Sequence, residues 1–135
     1  MDEVLFLIPL RYPLQERSVG TLRRALELAD EHENAHLYVL HVNIIHENEH
    51  VGREALVRAV EREFGSLENA SYHVRDAFLL EEAILYEAVQ QDADYVIIGK
   101  DTRARWRQIL TDRLDLDIDL ETFLQHHLNA TLVVV

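Results

Sequence analysis

Apolar positions along this chain recur in two alternating rhythms. Val4-Leu5-Phe6-Leu7-Ile8 is an unbroken apolar run stopped by Pro9, the pattern of a strand buried on both faces. From Ser18, a residue type that caps helices, Leu22, Ala25, Leu26 and Ala29 follow at helical spacing. His36–Val42 predicts a second strand. Val51, Ala55, Leu56, Ala59, Val60 and Phe64 share one face of a second helix, closed by Gly65. Ser71–Ala77 alternates in polarity, as a strand at a sheet edge does. Leu80, Ile84 and Ala88 line a third helix, and Ala93–Gly99 is a fourth strand. Leu116, Leu120, Phe123, Leu124 and Leu128 line a fourth helix, and Ala130–Val135 is a fifth strand.

Strands alternating with helices give parallel β-α-β units with right-handed crossovers. The expected fold is α/β: one doubly wound domain over residues 1–135, with helices on both faces of a five-stranded parallel sheet. Ligands of such sheets bind at the carboxyl ends of the strands, where strand order reverses. That places candidate chemistry at Gly99. The segment that follows, Asp101-Thr102-Arg103-Ala104-Arg105-Trp106-Arg107, has charge and bulk where a phosphate-cradling loop needs bare backbone.

The order of these segments resembles the universal stress protein (UspA-like) family. The resemblance rests on Val4–Pro9, Thr21–Ala29, Leu37–Val42, Glu82-Ala83-Ile84, Ala93–Gly99 and Ala130–Val135. It implies strand order 3-2-1-4-5, a homodimer paired through Ala130–Val135 and, in one branch, ATP binding through Gly-x-x-Gly-x9-Gly-Ser/Thr after the fourth strand. Gly99 matches the first glycine of that motif. Thr102 and Asp112 stand at the second and third, Arg113 stands at the hydroxyl position, and Leu10 replaces the acidic residue that usually ends the first strand. A carboxylate at Asp112 would repel a polyphosphate at close range. The expectation is a non-enzymatic stress-response module that does not hold ATP through the usual glycine loop and has no resident cofactor.

The alternative is a regulator that binds a nucleotide or anion weakly through Lys100, Arg103, Arg105, Arg107 and Arg113, five of the thirteen cations. A third reading is a hydrolase or transferase of the wider adenine-nucleotide α-hydrolase group. The candidate ligand positions are Pro9, Leu10, Val42, Gly99, Lys100, Arg103 and Arg113.

Composition narrows the classes. The net charge of -12 opposes binding to a nucleic-acid backbone. Twelve of the thirteen cations are Arg, and an acidic surface with one Lys fits a salt-rich cytoplasm. The absence of cysteine excludes disulfides and thiolate metal sites. No apolar run nears the ~20 residues of a membrane span, and Met1-Asp2-Glu3 is unlike the basic start of a signal peptide, so the expected location is the cytoplasm. His46 and His50 are read as exposed histidines, and His126-His127 as polar residues near a helix end. Asp115, Asp117 and Asp119 form an acidic lead-in to the fourth helix, because Leu120 stands where a calcium loop requires glycine. Trp106 packs over the ligand edge or against a partner subunit.

Overall fold

The computed structural model describes residues 3–45, 50–78, 80–99 and 130–135. The expected fourth helix lies outside them, as do Lys100, Arg103, Arg105, Trp106, Arg107, Arg113, His46 and His126-His127. Five parallel strands form one sheet in the order β3-β2-β1-β4-β5. They are β1 (Val4–Pro9), β2 (Ala35–Ile44), β3 (Ala70–Ala77), β4 (Tyr95–Ile98) and β5 (Thr131–Val134). Among the described residues, three helices connect β1 through β4: α1 (Glu16–Ala29), α2 (Arg53–Phe64) and α3 (Leu80–Gln90).

Pleating divides the core into two layers. Phe6, Ile8, Leu37, Val39 and Ile97 pack with Leu22, Ala25, Leu56 and Val60 of α1 and α2. Leu7, Leu40, Val42, Val96 and Ile98 pack with Ala83, Ile84 and Ala88 of α3. β1 and β4 are apolar throughout because both of their faces are covered.

Some boundaries differ from the sequence expectation. Ser18 does not cap α1: the helix starts at Glu16, and its N-cap Gln15 makes no side-chain capping bond. The apolar stripe that located this helix, from Leu22, begins nearly two turns later than its backbone. Pro9 is the last residue of β1 rather than the stop after it, which its missing N–H allows at a strand end. β2 runs on to Ile44. Gly65 closes α2 as expected, at φ 72° with its N–H on the Glu61 carbonyl at 2.8 Å.

One outward acceptor of the β3 edge is occupied by a side chain. The N–H of Leu37 bonds to the carbonyl of Asn69, so strand alternation turns the carbonyl of Tyr72 outward. Arg53, at the start of α2, donates its Nε–H to that carbonyl at 3.0 Å. Asp94 ties β1 to β4 on both sides of its own backbone. Its carboxylate accepts the Leu5 N–H at 2.8 Å, and its N–H donates to the Leu5 carbonyl at 3.0 Å.

Candidate functional site

The carboxyl ends of β1, β2 and β4 bring Pro9, Leu10, Val42 and Gly99 to one edge of the sheet. Leu10 continues the ladder past β1, donating its N–H to the Leu40 carbonyl at 2.8 Å, while its side chain is buried in the α1–α2 layer. Its carbonyl lies 3.0 Å from His41 Nδ1. A carbonyl only accepts, so the proton sits on Nδ1 of His41. Val42 is buried in the α3 layer, so it and Leu10 offer backbone rather than side-chain polarity. At Gly99 a Cβ would lie 3.3 Å from Thr21 Oγ1, so α1 comes close to the end of β4. Thr21 in turn donates its hydroxyl to the Arg17 carbonyl at 2.9 Å.

Asn43 fixes the chain beyond β2. Its carboxamide oxygen accepts the Val51 N–H at 3.1 Å, and its NH2 group donates to the Val51 carbonyl at 2.9 Å and to Asp76 Oδ1 at 3.2 Å. His50 is largely exposed, as expected, 3.7 Å from Asp76.

A second polar cluster lies on the α3 face, toward the amino ends of β2 and β3. Ser71 Oγ sits between two imidazoles, 2.8 Å from His36 Nε2 and 2.9 Å from His73 Nε2. The Tyr38 ring stacks on His73 with centroids 3.7 Å apart and planes 3° from parallel. The Tyr38 hydroxyl donates to Glu87 Oε2 at 2.6 Å, and the other oxygen of this fully buried carboxylate pairs with the Arg75 guanidinium. Arg75 also lies over the ring of Tyr86.

Burial raises the Tyr38 hydroxyl above its usual pKa, against the opposing charge of Arg75. Burial lowers His73, helped by Arg53, His36 and Arg75. The cluster borders an open cleft of about 610 Å³, with Glu3, Asp92 and Asp94 also on its walls.

Sequence reasoning missed this cluster. Its signals were His36 and Tyr38 two apart on β2, Ser71, His73 and Arg75 two apart on β3, and Glu87 inside the stripe of Ile84 and Ala88. Among the described residues, no group of three or more His, Asp or Glu side chains converges to hold a metal ion. No helix among them is long and apolar enough to cross a membrane.

No protein-family model and no curated protein matches the sequence. The fold does match solved structures. A universal stress protein in complex with cAMP aligns with TM-score 0.60 and 13% identity, over 99% of this chain and 98% of that one. Universal stress protein UspA from Lactobacillus plantarum aligns with TM-score 0.54 and 11% identity, over 100% and 99%. From end to end, this chain has the fold of universal stress proteins.

Proposed function

We propose that this protein is a universal-stress-protein-like module of the stress response, non-enzymatic, acting in the cytoplasm as a homodimer joined through β5. It does not hold ATP through the usual glycine loop. The observation that carries this reading is the sheet order 3-2-1-4-5, with a glycine closing β4 against α1, in a chain that matches universal stress proteins over its full length. The apolar β5, Thr131-Leu132-Val133-Val134, supports the pairing. An uncharged apolar edge strand accepts a second copy about a two-fold axis.

Light scattering at high potassium chloride tests the assembly. The expected mass is that of a dimer, shifted to monomer by Val134→Lys; a monomeric parent protein refutes it. Calorimetric titration with ATP tests the ligand edge. A dissociation constant in the low micromolar range, about -8 kcal/mol, would refute the loss of the loop.

A second reading is favoured by the neighbour solved with cAMP. A nucleotide with a single phosphate group does not need a polyphosphate cradle, and Lys100, Arg103 and Arg113 supply its countercharge in this reading. Arg103→Ala should then weaken cAMP or AMP binding, and unchanged affinity removes the arginine cluster from the account.

A further inference from the structure

We propose that the His36–Ser71–His73 bridge is a one-proton clasp, which fastens the edge strand β3 to β2 at neutral pH and releases it under acid. The clasp lies on the α3 face, away from Gly99, and holds whether or not a nucleotide binds at the opposite edge.

The bridge crosses from one strand to the other. His36 belongs to β2, Ser71 and His73 belong to β3, and Ser71 Oγ lies 2.8 Å from the first Nε2 and 2.9 Å from the second. A hydroxyl has one proton, so with both rings neutral it donates to one of them and accepts an N–H from the other. The ring that donates can gain a proton at its Nδ1 and keep its bond, which then becomes charge-assisted. The ring that accepts cannot do the same. Its Nδ1 already carries a proton, so a second proton must enter at Nε2, the atom that holds the serine hydrogen. The hydroxyl then has to turn away, and two charged rings face one oxygen within about 6 Å of each other. One proton strengthens the clasp, and two break it.

The surroundings act on the same balance. Glu3, Asp92 and Asp94 line the adjoining cleft and favour a first charge. A second charge meets Arg53 of α2 and Arg75 of β3, which act on His73 together with His36. Glu87 of α3 is already engaged by the Tyr38 hydroxyl and Arg75, and Asp76, further along β3, accepts from Asn43. The Tyr38 ring, stacked on His73, hinders that ring from turning out of the bridge.

Burial first, and then these charges, hold His73 below the ordinary imidazole value. A folded-state value below the unfolded one means that neutral His73 contributes in full above about pH 6.5, and that the contribution is lost as pH falls through the folded value. β3 depends on such contacts because it has a neighbouring strand on one side only.

NMR of the histidine rings in the full-length protein reads the clasp directly and needs no variant. The two rings should titrate in two steps separated by at least about one pH unit, with His73 completing the second. In His36→Gln the like charge is gone and the amide oxygen can take the serine hydrogen, so the His73 midpoint should rise by about half a unit or more. Backbone hydrogen exchange, referred to each amide's intrinsic rate at the same pH, reads release of the strand. Between about pH 7.5 and about pH 5, protection of the β3 amides bonded to β2 should fall at least about tenfold, while that of β1 holds. His73→Gln, whose amide can still bond Ser71, should keep β3 protected over the same range, which separates the clasp from carboxylates that titrate nearby. Circular dichroism at neutral pH confirms that each variant is folded. One common titration step for both rings, a His73 midpoint unmoved by His36→Gln, or equal loss of β3 protection in the parent and His73→Gln overturns the assignment.

Discussion

Glu87 and Arg75 form a pair in which the two partners are not equivalent, and that asymmetry can be measured. The Glu87 side chain is 0% exposed, whereas that of Arg75 is 46% exposed. Arg75→Met leaves a carboxylate sealed in the α3 layer with one donor, Tyr38. Glu87→Met leaves a guanidinium that can turn into water and still cover the Tyr86 ring. Removing one partner of a buried pair costs about 3–5 kcal/mol, because the remaining charge stays buried and uncompensated. That cost applies to Arg75→Met. For Glu87→Met the main loss is the partner of the Tyr38 hydroxyl, about 1–2 kcal/mol.

The double variant removes both charges and should be more stable than Arg75→Met alone. Against a typical stability of about 5–15 kcal/mol, Arg75→Met leaves a marginal protein. Urea unfolding followed by circular dichroism, at one fixed salt concentration, gives the three differences from midpoints at constant slope. Equal losses in the two single variants, or a double variant worse than Arg75→Met, would refute the reasoning.

Other outcomes follow from single contacts. The Tyr72 hydroxyl is buried without a hydrogen-bond partner among the described residues, so Tyr72→Phe should stabilise by about 1 kcal/mol in the same assay; a loss would reveal an unseen partner. Tyr38 and Tyr72 are both raised, chiefly by burial, so unfolded tyrosines ionise before these two do. Stability should therefore hold below about pH 10 and fall as pH rises through their folded values, with late-titrating absorbance near 295 nm as the spectroscopic check. Gly99→Ala places a Cβ 3.3 Å from Thr21 Oγ1 and should cost about 1 kcal/mol, relieved in a Thr21→Ala background; independent, additive effects would exclude this contact as the cause.

Much of the fold was legible because burial on both faces leaves an apolar run, as in Val4–Ile8 and the segment before Gly99. The Ser71–Ala77 alternation marked an edge for the same reason: one of its faces is polar. The start of α1 was not legible, because Ser18 is a good capping residue within a helix that begins at Glu16 with no side-chain cap. The histidine cluster was hidden by register. His36 meets Ser71 only because β2 and β3 pair Tyr38 with Ser71, a contact between segments far apart in the chain. Glu87 lay hidden in an apolar stripe, since helical spacing places it on the buried face without naming its partners.

The bond from Arg53 to the Tyr72 carbonyl has a consequence for growth. A sheet with two open sides can add copies without limit, and the product is a fibre. Here the Arg53 guanidinium occupies one outward acceptor of β3, so a strand docking along that side would have to displace it. In the homodimer proposed above, β3 would be the side left facing outward, and this one side chain, anchored outside the sheet, would then disfavour growth beyond the pair.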